Sequence, residues 1–115
     1  MEDARGDVPR LTDILTAMAK VRTFTHDGRD AFLASGVIQD AVIRNLEVMG
    51  EAAGNVSASL RSKHPEVPWS KMRGLASFAR HEYWRIDLQR LWAAVEVIPT
   101  LEQAVSRIRA DRARR

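Results

Sequence analysis

Residues 69–87 hold the densest set of side chains able to move a proton or bind phosphate. They read Trp69-Ser70-Lys71-Met72-Arg73-Gly74-Leu75-Ala76-Ser77-Phe78-Ala79-Arg80-His81-Glu82-Tyr83-Trp84-Arg85-Ile86-Asp87. Histidine titrates near neutral pH and can serve as acid or base. Arginine can neutralise a phosphate, and tyrosine offers a hydroxyl. Together, Arg73, Arg80, His81 and Tyr83 could handle a phosphodiester. A plainer role fits the same residues, because a histidine near a helix end is often a cap or a packed polar group. Residue types alone leave both roles open.

Spacing narrows the geometry. Arg73, Ser77 and His81 follow i, i+4, i+8 and share one helical face. At about 1.5 Å per residue, Arg73 stands about 12 Å along the axis from His81. Its side chain leans further away, toward the helix start. Arg80 lies about 100° around the helix from His81. Neither arginine easily shares a phosphate with His81 of its own chain. His81 and Tyr83 are two apart, about 200° around a regular helix. They can face one groove only if the helix ends or unwinds near His81.

Most other chemistry is excluded. The chain carries no phosphate loop, nucleophile elbow or dinucleotide fingerprint. With no cysteine there is neither a disulfide nor a zinc–thiolate site. The histidines are His26, His64 and His81, and none follows His81-Glu82 at zincin spacing. No metal and no cofactor is expected. In the second long helix, Glu47 and Glu51 share a face, as do Asp40 and Arg44. They read as paired surface charges, or alternatively as Asp40 or Glu47 set across a groove from the third helix.

The elements that must carry these residues are helical. Leu11, Ile14, Leu15, Met18, Val21 and Phe24 recur at helical spacing, which predicts a first helix starting near Asp7 or Val8 with Pro9 in its first turn. His26-Asp27-Gly28 ends it, and residues 29–35 make one short helical turn. A second helix is expected from about Gly36 to about Leu60, with Val37, Ile38, Ala41, Val42, Leu46, Met49, Ala53, Val56 and Leu60 on its apolar face. Gly50 and Gly54 inside it favour close helix contact over phosphate binding, because no strand precedes them. After a loop over residues 61–68, a third helix runs from Trp69 toward His81. Asp87 is the expected N-cap of the last helix, and Pro99 should kink it. No segment alternates at period two. The pattern is all-α, an antiparallel four-helix up-and-down bundle with an extra short helix and a kinked C-terminal helix.

The 115 residues suit one domain over 1–115, and 45% hydrophobic content is enough for a core. Residues 107–115 form a basic tail of five arginines and one aspartate, read as a solvated helix end. The longest apolar run, residues 91–95, is far short of the roughly 20 residues of a membrane helix. The acidic start, Met1-Glu2-Asp3, lacks the character of a signal peptide. A cytoplasmic protein with no membrane partner is expected.

Three segments in order resemble one family. These are Val37-Ile38-Gln39-Asp40-Ala41-Val42-Ile43-Arg44-Asn45-Leu46-Glu47 with Gly50-Glu51-Ala52-Ala53, then His64-Pro65-Glu66-Val67-Pro68-Trp69, then His81-Glu82-Tyr83-Trp84 with Ile86-Asp87-Leu88 and Leu91-Trp92. Over residues 11–108 the chain is similar to the HEPN superfamily, specifically the HepT-like toxins of HepT/MntA toxin–antitoxin systems. The resemblance implies a helical bundle that forms a homodimer and cuts RNA without metal at a groove between subunits. It implies catalysis by His81, supporting or RNA-binding roles for Arg73, Ser77, Arg80 and Tyr83, and an MntA-like nucleotidyltransferase antitoxin that attaches AMP to Tyr83. The family signature is an arginine, four residues, a histidine, one residue and a tyrosine. His81 and Tyr83 match its second half. Ala76 stands in the arginine's place, and Ser77 follows where asparagine is usual. That departure implies a weakened RNA endonuclease or, alternatively, a degenerate protein that binds RNA, a nucleotide or the nucleotidyltransferase without cutting.

Overall fold

The computed structural model describes residues 4–82 and 85–114. Its helices are α1 (Ala4–Phe24), α2 (Arg29–Leu33), α3 (Gly36–Gly54), α4 (Ala58–Lys63), α5 (Trp69–Arg80), α6 (Leu88–Glu96) and α7 (Ile98–Ala113). Among the described residues there is no strand. The long pieces α1, α3, α5 and α6–α7 make the expected four-helix bundle. The last member bends at Val97, with Pro99 in the opening positions of α7. Proline has no N–H to donate, and its ring clashes with the carbonyl four residues back. One continuous helix is therefore disfavoured there.

Helical periodicity decides which residues meet in the middle. Leu11, Ile14, Met18 and Val21 of α1 are buried with Val42, Leu46, Met49 and Ala53 of α3. Met72 and Ala79 of α5 join them, as do Leu91, Ile98, Leu101, Val105 and Ile108 of the last two helices. Each large aliphatic side chain so buried contributes roughly 1.5–3 kcal/mol of transfer free energy. Val37 departs from the expected face: it is 78% exposed at the start of α3, one turn before the helix reaches the core.

The second helix is shorter than the periodicity predicts. It stops at Gly54, and α4 begins afresh after Ser57. Ser57 caps α4 by accepting from the Leu60 N–H at 3.2 Å. The buried Asp7 carboxylate fixes this break from the other side of the bundle. It accepts the Ser57 N–H at 2.8 Å and the Ser57 hydroxyl at 2.7 Å. A buried carboxylate is tolerated when hydrogen bonds meet its oxygens. The same bonds place the start of α1 beside the end of α3, so the two run antiparallel. Helix α1 itself begins at Ala4, ahead of the expected start, and Pro9 lies inside it.

Antiparallel packing continues from α3 to α5, where Gly50 meets Ala76 and Gly54 meets Arg73. Helix α7 is tied to α1 by a two-pronged ion pair, with Arg22 Nε 2.6 Å and Nη2 2.8 Å from the Glu102 carboxylate. The carboxylate raises the Arg22 pKa above its ordinary value, through the hydrogen bond first and charge second. The basic tail continues α7 to Ala113, with Ile108 buried and Arg109 and Arg112 half-buried. Among the described residues no helix is long and apolar enough to cross a membrane.

Candidate functional site at the end of helix α5

Helix α5 enters and leaves the bundle under firm local control. At its start, the buried Trp69 donates its indole N–H to the His64 carbonyl at 3.0 Å. At its end, His81 is the C-cap and Glu82 turns into the left-handed region at φ 62. The Glu82 N–H reaches back to the Ala79 carbonyl at 3.4 Å. A left-handed residue just past the C-cap is the usual way to close a helix, and glycine usually fills it. The helix thus ends where a shared groove for His81 and Tyr83 requires. Tyr83 itself, like Trp84, lies outside the described residues.

The end of α5 also sets the tautomer of His81. The Ser77 carbonyl lies 2.7 Å from His81 Nδ1 and also accepts the His81 backbone N–H at 3.0 Å. The Ser77 hydroxyl is 3.3 Å from the same ring nitrogen. A carbonyl can only accept, so Nδ1 carries the proton in this bond. The basic lone pair of the neutral ring is then on Nε2. The bond helps finish the helix as well, so the cap reading and the chemical reading of His81 describe one geometry. His81 is exposed.

Beside His81 runs an open groove of about 480 Å³ between the end of α3 and the face of α5. Arg73, Ala76, Ser77 and Arg80 line it from α5, facing Gly50, Glu51, Gly54 and Asn55. The i, i+4, i+7 spacing of Arg73, Ser77 and Arg80 explains their common face. His81 adjoins the groove through Ser77. Arg73 leans over Gly54, its Nε 3.4 Å from where a Cβ would stand. It therefore points toward the C-terminal end of α3 and away from His81, as its spacing implies. The carbonyl end of that helix favours a cation. Glu51, rather than Asp40 or Glu47, is the carboxylate that faces α5 here.

Ala76 is only 2% exposed and packs onto α3. A Cβ on Gly50 would stand 2.2 Å from Ala76 Cβ and 2.9 Å from the Met72 carbonyl oxygen. Only glycine admits so close an approach, so the two backbones touch at the floor of the groove. The position itself supplies no charge to a phosphate. Among the described residues no cluster of three histidine, aspartate or glutamate side chains could hold a metal ion. Sequence reasoning did not single out Asn55, Arg10 or Arg61, which the fold brings to the same end of the bundle. They come from different elements, and no spacing rule links them.

Residues 14–108 match the family model described as ribonuclease HepT-like. The chain is 39% identical over 97 residues to an RNase of Methanocaldococcus jannaschii, covering 83% of this chain and 89% of that protein. It is 36% identical over 101 residues to a ribonuclease HepT of Thermococcus cleftensis, covering 86% and 92% respectively. It is also 41% identical over 86 residues to a second M. jannaschii RNase, covering 74% and 71%. The names of all three give the RNase assignment as provisional. No solved structure matches the chain significantly.

Proposed function

The chain belongs to the ribonuclease HepT-like family, and from that premise we propose that it is a metal-independent RNA endonuclease working as a homodimer. Its role is that of the toxin in a toxin–antitoxin pair. The observation that carries this reading is the bond from His81 Nδ1 to the Ser77 carbonyl beside a groove holding Arg73 and Arg80. It leaves Nε2 as the proton-transferring atom. Nε2 takes the proton of a ribose 2′-hydroxyl as its oxygen attacks phosphorus, or returns one to the leaving oxygen. Arginine N–H groups stabilise the charge that builds on the phosphate. Arg73 lies too far from His81 within one chain, so a second copy supplies the arginine, which is the reason for a dimer groove. Tyr83 orients the RNA and accepts AMP from a nucleotidyltransferase antitoxin. The tyrosyl-AMP so formed is a phosphodiester with a negative charge, which repels RNA by charge and blocks it by size.

The test is cleavage of tRNA or mRNA by purified protein in chelator, beside a His81→Ala variant. General acid–base catalysis is worth about 10²–10⁴ in rate, so His81→Ala should lose at least about a hundredfold. Equal cleavage by both proteins removes His81 from the mechanism.

Ala76 favours a second reading, in which the protein binds RNA, a nucleotide or the nucleotidyltransferase without cutting. The side chain at 76 starts on the floor of the groove that Glu51 and Arg80 also line. On this reading Ala76→Arg creates cleavage and toxicity on expression. A native chain already as toxic as the variant discards it.

A further inference from the structure

The groove beside His81 does not stop at the end of α3. A second groove, about 460 Å³ in volume, continues from it and shares Gly54 and Asn55 as common walls. Arg10 of α1 and Arg61 of α4 line this second groove. We propose that the two grooves form one track for a single strand of RNA, in which Arg10 and Arg61 hold phosphates remote from the bond that is cut. The proposal rests on the ribonuclease reading above and adds to it a binding surface away from His81.

Three observations converge on an extended polyanion. First, four guanidinium groups line the joined grooves against two carboxylates, Asp7 and Glu51. Asp7 is already committed, with both oxygens accepting from Ser57. Second, the cations are available. Arg10 is about half exposed, and its ion pair with Asp13 is long at 4.0 Å. The Nε of Arg61 is buried without a hydrogen-bond acceptor. A phosphate that drew the Arg61 guanidinium outward would end that deficit. Third, guanidinium forks match phosphate oxygens in pairs, and a basic groove that follows a backbone is how single strands are held. No aromatic side chain lines either groove among the described residues. Bases therefore gain little by stacking, and binding should be tolerant of sequence and steep in its dependence on salt.

The test uses the full chain carrying His81→Ala, so that RNA survives, and fluorescently labelled single-stranded RNA. One oligonucleotide is about three nucleotides long, enough for the groove beside Ala76, and the other about twelve, within the range of single-strand sites. Each phosphate contact on a single strand contributes about 0.7 to the slope of log K against log salt. Arg10→Glu should therefore lower that slope by at least about 0.7 and weaken the longer RNA about fivefold or more near 0.1 M salt. The shorter RNA should be unaffected. Arg10→Ala, which adds no charge, should show the same trend and guards against a folding defect in Arg10→Glu. Arg29→Glu, at the opposite end of the bundle where α2 begins, should change little.

The track is overturned if Arg10→Glu and Arg10→Ala leave slope and affinity unchanged, or if Arg29→Glu costs as much. It is overturned equally if polyglutamate displaces the longer RNA as well as unlabelled RNA does, which would make the surface a general anion site. Cleavage by the His81 chain separates the two ideas. RNA held through Arg10 but never cut refutes the ribonuclease reading and leaves the track standing. RNA cut by His81 with no role for Arg10 refutes the track alone.

Discussion

Gly50→Ala is the sharpest test of how α5 is held. Replacing a glycine inside a helix by alanine normally stabilises it by about 0.5–1 kcal/mol. Here the new Cβ would stand 2.2 Å from Ala76 Cβ and 2.9 Å from the Met72 carbonyl oxygen. Carbon atoms in good contact sit about 3.5–4.0 Å apart. Helix α5 must therefore retreat by more than about 1 Å at this point, since neither a Cβ nor a backbone oxygen can swing aside. Overpacking of this kind costs about 1–3 kcal/mol, and two rigid neighbours place it at the upper end. The net expectation is a loss of about 2 kcal/mol after the helix gain is subtracted. For a chain of 115 residues, each kcal/mol moves the melting temperature by about 3–6 °C, so Tm should fall by about 6–12 °C. Circular dichroism melts measure this directly. Removing the opposing methyl in Gly50→Ala with Ala76→Gly should recover part of the loss, with a coupling of about 1–2 kcal/mol between the sites. If Gly50→Ala melts at or above the native temperature, the close approach of α3 and α5 is wrong, and with it the shape of the groove floor.

Two further substitutions probe the ends of the site. Glu82 is left-handed at φ 62, a conformation that costs a non-glycine residue about 1–2 kcal/mol, while its exposed ion pair with Arg85 at 3.1 Å returns only a few tenths of that. In thermal melts Glu82→Gly should equal or exceed the native chain, and Glu82→Val, with a branched Cβ, should melt lower; a valine variant as stable as native would contradict the turn. In the loop before α5, a backbone N–H and then His64 hold the Glu66 carboxyl below its ordinary pKa. A depressed carboxylate stabilises the fold fully above its unfolded pKa, near 4.3, and the effect disappears as pH falls through the lower folded value. Native and Glu66→Gln chains should thus differ in melting temperature at neutral pH and converge under acid; a gap that widens on acidification would reverse the sign and refute the assignment.

The local features were legible in the sequence because short-range forces make them. Apolar spacing marked the buried faces of α1 and α3, since a helix presents every third or fourth residue to one side. Asp87 caps α6 by accepting the Arg90 N–H at 3.0 Å, a bond that spans three residues and needs no partner element. Pro99 bends the last helix for an equally local reason. The family resemblance rests on such local segments too, the one around His81 among them.

Tertiary structure decided what depends on partners distant in sequence. The periodicity of residues 36–60 runs on past Gly54, and only the Asp7 carboxylate, some fifty positions away, shows why α3 stops and Ser57 starts a new helix. Ala76 reads as a lost arginine in the chain, whereas packed against Gly50 it is the floor of a groove. The proton position on His81 follows from the Ser77 carbonyl, which becomes an acceptor for the ring only because α5 ends at that turn. Arg73 and Arg80 share a face of α5, whereas Arg10 and Arg61 come from two other helices and no spacing links them to it. Folding places α1, α4 and α5 around one end of α3, and that convergence gathers scattered charges into one basic surface.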